Sequence, residues 1–256
     1  MGAGALALSV AHNGKAQSSP SASPIPIIDG HIHLFDASRP QGAPYQGPPE
    51  FTSHISLPAD YVAQAAPLGI VGAVILEASP WVEDNLWVLE VAQTSPMMVG
   101  VVGSLQPEKP EFAEYLERYH KNPLYRGIRV LDGWRGPMGR LVTNPAFIAG
   151  LKLLAQADLV LDTANPSMDL LNSVLRISDQ VPDLRVILDH LPAMEPKPEE
   201  ASAYAAVLSE LHGRPNIYVK LSEILHRVNG SVAGDLASHR ERLDHLFGIF
   251  GEDRVL

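Results

Sequence analysis

Two imidazoles and a carboxylate alternate with small or apolar residues in Asp29-Gly30-His31-Ile32-His33. They follow the β-branched run Ile25-Pro26-Ile27-Ile28. In a strand, side chains alternate between faces with a period of two. The spacing therefore predicts Asp29, His31 and His33 on one face, and Ile28, Ile32 and Leu34 on the other. Placing three polar groups at the end of an apolar strand is costly unless each finds a partner. Neutral imidazole nitrogen is both a metal ligand and a proton carrier, so the pattern fits a metal or acid–base centre. A pair of surface histidines beside a loop would have the same spacing, so the motif gains weight only from its surroundings.

Those surroundings repeat the theme. Apolar runs close on Glu77, Arg129, Asp162, Asp189-His190 and Lys220-Leu221-Ser222. Each has an ordinary reading. Glu77 can cap a helix, Arg129 can pair with Asp132 at the surface, Asp162 and Thr163 can cap the next helix, and Lys220 can be solvated. Lys220 and Ser222 share a face and follow an apolar run. What the ordinary readings do not explain is the recurrence of polar groups at strand end after strand end.

The elements that must position these residues follow from periodicity. Strands are predicted over residues 25–34, 69–77, 97–105, 125–130, 159–163, 184–190 and 216–222, with an eighth opening at 253–256. Helices are predicted over 57–67, 83–94, 110–121, 144–157, 167–180, 199–212 and 236–250, where apolar residues recur at helical spacing. Residues 36–57, rich in Pro, Gly, Gln and Ser, read as a long loop, and such loops are often functional. Alternating strand and helix specifies a parallel sheet with helices outside it. Strands that are continuously apolar suit burial on both faces. Seven repeats and the start of an eighth predict a (β/α)₈ barrel interrupted before or within its last strand, with the polar strand ends forming the active-site rim. No Gly-x-Gly-x-x-Gly follows any strand, so an open dinucleotide-binding sheet lacks its fingerprint.

Composition sets outer limits. The 256 residues suit one large domain or two small ones, and 46% are hydrophobic, enough for a sizeable core. The formal net charge of -10 argues against a nucleic-acid backbone as partner, and a small-molecule substrate is expected instead. The absence of cysteine excludes disulfides, thiolate metal sites and a cysteine nucleophile. Residues 2–11 are small and apolar, too short to span a bilayer, and lead into a Ser/Pro/Ala linker through Pro24. Residues 1–24 are read as the remnant of an export signal lacking its basic leading region, which implies a periplasmic or exported protein; an ordinary leader on a cytoplasmic protein is the alternative. The folded domain is assigned to residues 25–256.

Ile28-Asp29-Gly30-His31-Ile32-His33-Leu34 resembles the opening motif of the amidohydrolase superfamily. Gly100-Val101-Val102-Gly103, Arg126-Gly127-Ile128-Arg129, Val186-Ile187-Leu188-Asp189-His190-Leu191-Pro192 and Asn216-Ile217-Tyr218-Val219-Lys220-Leu221-Ser222 resemble its amidohydrolase-related branch of lactone hydrolases, including 2-pyrone-4,6-dicarboxylate lactonases and sugar lactonases. The resemblance runs from about Ile25 to Leu256. It implies a metal-dependent-hydrolase barrel, with His31, His33 and His190 as the catalytic and metal-binding set where a metal is used, zinc first among divalent ions. Arg129 is implied to hold a substrate carboxylate, which suits its forked donors. Glu77, Asp162, Lys220 and Ser222 are the remaining expected substrate contacts. The implied reaction opens a cyclic ester derived from a carboxylate or a sugar by means of activated water. A metal-dependent decarboxylase of the same superfamily and a non-catalytic degenerate barrel are the alternatives.

Two departures from the family pattern stand out. The family's strand-8 aspartate, which binds metal or activates water, would lie just beyond Leu256. An interrupted barrel exposes strand edges, so a chain of these 256 residues is expected to be poorly stable and nearly inactive. Second, Glu223 stands where the family often has glycine after Lys-Leu-Ser.

Overall fold

A computed structural model describes residues 25–41, 53–131, 137–194, 196–225, 227–228 and 231–256. The expected leader lies outside the described residues. The main sheet contains β1 (Ile27–Ile32), β4 (Ile70–Leu76), β5 (Met98–Gly103), β6 (Tyr125–Leu131), β7 (Val160–Ala164), β8 (Val186–Leu188) and β9 (Ile217–Val219). All seven pair in parallel, in the order β1-β4-β5-β6-β7-β8-β9. Past β9, Val255 makes a parallel bridge to Val219 where the eighth strand is expected. This is the strand order of a (β/α)₈ barrel, with seven strands and the first contact of an eighth.

The sequence dictates this arrangement in a simple way. Val101, Ile128, Leu161, Val186 and Ile217 are completely buried, as strands covered on both faces require. The helices α1 (Pro58–Ala65), α2 (Asp84–Ala92), α3 (Phe112–His120), α4 (Met138–Leu141), α5 (Pro145–Gln156), α6 (Met168–Gln180), α7 (Ala201–His212) and α8 (Arg240–Phe250) lie between the strands in sequence. α6 shows how one is specified. Ser167 accepts a hydrogen bond from the Leu170 amide at its start, and Leu170, Leu171, Val174 and Ile177 form its buried stripe. α5 begins with Asn144 as cap and Pro145 in the first turn. Within the Arg126-Gly127-Ile128-Arg129 motif, a Cβ at residue 127 would stand 2.3 Å from the Val160 carbonyl oxygen. Only glycine lets β6 and β7 approach so closely.

Several elements differ from expectation. β8 and β9 are three residues each, shorter than residues 184–190 and 216–222, because the chain leaves the sheet early. His190 turns it with a left-handed φ of 56°. The loop after β1 contains a small antiparallel ladder, β2 (Phe35–Asp36) with β3 (Ile55–Ser56). A second ladder joins Arg227–Val228 to Ser231–Val232, and α4 lies in a stretch without helical periodicity. Ile28, expected on the face opposite the histidines, is 59% exposed at the end strand of the described sheet. Among the described residues no helix is long and apolar enough to cross a membrane.

Candidate active site

The carboxyl ends of the strands bring three imidazoles together. His31 and His33 leave β1 with their Nε2 atoms 3.2 Å apart. The His190 ring lies 4.7 Å from that of His31, centroid to centroid. His33 Nδ1 is 3.2 Å from the Leu76 carbonyl oxygen at the end of β4. A carbonyl only accepts, so Nδ1 carries the proton and Nε2 is left with a bare lone pair. His31 Nδ1 stands 3.5 Å from Asp189 Oδ2, which favours the same tautomer. The two Nε2 atoms face each other at 3.2 Å, a contact that a shared proton or a cation would satisfy. His190 Nδ1 is 2.9 Å from Ser222 Oγ, and its amide donates to the same oxygen. Its Nε2 is therefore the nitrogen turned away from that contact.

All three imidazoles are neutral near pH 7. Burial lowers His31, His33 and His190 alike, and His33 is pushed down to about 3, with the Arg129 charge adding to burial. This is the protonation state a ligand or a general base needs.

Behind the imidazoles lies a buried cluster of charges from five strand ends. Arg129 Nη2 is 3.0 Å from Asp189 Oδ2, its Nε is 3.5 Å from Asp162 Oδ1, and its Nη1 is 4.0 Å from Glu77 Oε1. Lys220 Nζ is 2.7 Å from a carboxylate oxygen of both Asp162 and Asp189. None of the five is more than 7% exposed. Burial, with the Asp189 charge beside it, pushes Asp162 well above the usual carboxylate range. Burial works in the same direction on Asp189, but contacts with His31 and Asp162 and the charges of Lys220 and Arg129 outweigh it and hold Asp189 low.

The expected site residues are therefore gathered at one rim, with two changes of role. Arg129 faces three carboxylates of its own chain, and Asp162 and Lys220 face each other, so these three build the site instead of reaching outward. Ser222 holds His190. Asp29 does not join the histidines: its Oδ1 accepts from the His31 amide and its Oδ2 from the Tyr61 hydroxyl on α1, at 3.0 and 2.8 Å. Strict alternation fails there because β1 shifts register between Asp29 and Ile32. Sequence reasoning placed Asp189 at the rim but gave it no role. Its signal was a carboxylate closing an apolar run, a position that demands cationic partners.

Does this set fit a metal ion? His31, Asp189 and His190 offer ligand atoms within 4.8 Å of one another. Asp189 takes the place expected for His33 in that trio. Both Asp189 oxygens already face cations, which suits it better to orienting His31 than to binding an ion. The Nε2 pair of His31 and His33 fits independently: two nitrogens at bonding distance from one tetrahedral zinc lie about 3.3 Å apart. The donor chemistry is that of a borderline-soft divalent ion.

Imidazoles and carboxylates at the carboxyl rim of a parallel barrel stand where barrel enzymes carry their active sites. The comparisons with known proteins agree. The family model described as "Amidohydrolase" matches residues 28–256, and the chain belongs to that family as one of its hydrolytic enzymes. L-fucono-1,5-lactonase of Burkholderia ambifaria is 24% identical over 204 residues, covering 76% of this chain and 67% of that protein. An amidohydrolase from Burkholderia multivorans, solved with bound zinc, superposes with a TM-score of 0.75 at 22% identity, covering 90% of this chain and 82% of that one. A Pseudomonas putida protein assigned as a 2-pyrone-4,6-dicarboxylic acid hydrolase gives a TM-score of 0.69 at 22% identity, covering 90% and 80%. At these identities the two structures speak to the fold.

Proposed function

We propose that this protein hydrolyses a lactone that is neutral at its reacting end. The observation carrying this reading is the close approach of His31 Nε2 and His33 Nε2 at 3.2 Å, in front of cations already matched by internal carboxylates. Hydrolysis adds the oxygen of water to the ester carbonyl, breaks the ring C–O bond and leaves a proton on the departing oxygen. His31 and His33 face the reacting carbonyl. His190, held at Nδ1 by Ser222, is placed to take the proton of the attacking water and return it to the leaving oxygen. Asp189 keeps His31 in one tautomer and balances positive charge that develops there. A divalent ion held by His31 and His33, zinc being the first candidate, would polarise the carbonyl.

A substrate carboxylate fits poorly. Among the described residues, Arg129 and Lys220 are the cations of the buried cluster, and three carboxylates surround them. A further anion would find both cations already engaged by carboxylates of the chain. The sugar lactonase relative therefore supports the reading better than the dicarboxylate hydrolase neighbour does. The test compares hydrolysis of L-fucono-1,5-lactone with that of 2-pyrone-4,6-dicarboxylate, in wild type and His31→Ala. Turnover of the neutral lactone, lost in His31→Ala, is expected. Preference for the dicarboxylate, or activity that survives the substitution, overturns the reading.

A further inference from the structure

The proposed reaction needs a bare Nε2 on His190, and Ser222 alone does not secure one. The Ser222 hydroxyl already accepts from the His190 amide at 3.2 Å. A hydroxyl has one proton to give and two lone pairs with which to accept. At 2.9 Å from His190 Nδ1 it can therefore accept from a protonated Nδ1 or donate to a bare one. The first arrangement leaves Nε2 bare. The second puts the single proton of the neutral imidazole on Nε2, where the ring cannot take a proton from water.

The next residue supplies the missing preference. Glu223 has a left-handed φ of 56°, a conformation that large side chains rarely adopt. His190 has the same φ, so two left-handed residues face each other just past the ends of β8 and β9. Strain of this kind persists only where the surrounding structure holds it, and it concentrates at functional sites. Here it accompanies a carboxylate oxygen 3.8 Å from His190 Nδ1. Among the described residues, that carboxylate has no other ion pair. The distance is too long for a hydrogen bond but not for the action of a charge. An ionised carboxylate only accepts, so it attracts an N–H pointed at it and repels a lone pair. Asp189 also offers an oxygen within 4.8 Å of a His190 nitrogen, but both of its oxygens already face Arg129 and Lys220.

We infer that Glu223 is a positioning residue that sets the tautomer of His190, keeping the proton on Nδ1 and leaving Nε2 bare. Ser222 anchors the ring, and Glu223 decides which of its nitrogens carries the proton. The preference is modest, because the Glu223 side chain is 60% exposed and solvent screens its charge. Only the kinetic consequence rests on the lactonase reading; the tautomer does not require turnover.

Long-range proton–nitrogen correlation spectra of the full chain, labelled with nitrogen-15 histidine, distinguish a protonated ring nitrogen from a bare one. They are recorded at about pH 8, above the ordinary histidine range. The chain has ten histidines, and His190→Asn, which tolerates a left-handed φ, identifies the His190 signals. In wild type the Nδ1–H form is expected to exceed the Nε2–H form about tenfold. Glu223→Gln keeps the strained backbone but replaces the charge with an amide that can donate or accept, and is expected to bring the two forms to near parity. Ser222→Ala is expected to leave the Nδ1–H form dominant. In lactone hydrolysis, Glu223→Gln is expected to lower kcat to about half, in proportion to the lost Nδ1–H form, with KM unchanged. A dominant Nε2–H form in wild type, an unchanged tautomer in Glu223→Gln, or a tautomer moved by Ser222→Ala overturns the assignment. An unchanged kcat beside a moved tautomer overturns its part in the reaction. The expected tautomers in a protein that hydrolyses no lactone would instead overturn the proposed reaction and leave the role of Glu223 standing.

Discussion

Arg129 and Arg39 both lie at the carboxyl end of the sheet, each beside buried carboxylates, yet their surroundings differ. Arg129 and Lys220 meet Asp162, Asp189 and Glu77 at distances of 2.7 to 4.0 Å. Among the described residues, Arg39 meets a single carboxylate, stacks on an indole, and leaves one oxygen of Asp84 without a donor. The first site sets cation against carboxylate across five strand ends, whereas the second is one ion pair beside an aromatic ring. A network ties several strands together; a lone pair ties one loop to one helix.

The contrast is most open to attack at Lys220. Lys220→Ala leaves Asp162 and Asp189 facing each other with one cation between them, and a loss of about 3–5 kcal/mol is expected. Arg39→Ala deprives one carboxylate at the rim, and a loss of about 1–2 kcal/mol is expected. Urea midpoints at neutral pH measure both, and equal losses would erase the distinction.

A smaller effect concerns the imidazoles in front of the charge network. His33 in the fold resists protonation down to about pH 3, whereas in the unfolded chain it takes a proton near 6.5. Between those values the unfolded state binds the extra proton, so stability falls as pH falls, by up to about 1.4 kcal/mol per pH unit. Carboxylates titrate in the same window, so the informative quantity is the difference between wild type and His33→Asn. The variant is expected to show the shallower slope; parallel slopes would mean that His33 is not held neutral.

The smallest change is expected at Glu223, which has a left-handed φ of 56° and a carboxylate 3.8 Å from His190 Nδ1. A side chain there is strained, which explains why glycine suits the position in the resembling family. Glu223→Gly is expected to stabilise by about 0.5–1 kcal/mol, the relief of strain exceeding the added freedom of the unfolded chain. A lower melting temperature would mean that the Glu223 contact with His190 outweighs the strain.

Much of the fold was legible because each parallel strand is a continuous apolar run, and period alone marks such runs. The rim was legible too, since His31, His33, Glu77, Arg129, Asp162, His190, Lys220 and Ser222 all stand at or just past the ends of those runs. What the chain did not reveal is who faces whom. Arg129 finds its partners on three other strands, and only the curvature of the sheet decides that they meet. That meeting turned an expected substrate clamp into an internal counter-charge. The register shift after Asp29, which hands that carboxylate to Tyr61, breaks an alternation that sequence reading must assume. The Arg39–Trp87 stack was hidden for another reason: Arg39 falls in a Pro- and Gly-rich stretch where no periodicity exists to be read.

The carbonyl of Leu76 fixes the proton of His33. The aim of the His33 ring is therefore set by the end of β4 and not by the strand that carries the histidine, so a substitution that shifts β4 turns the ring without touching it.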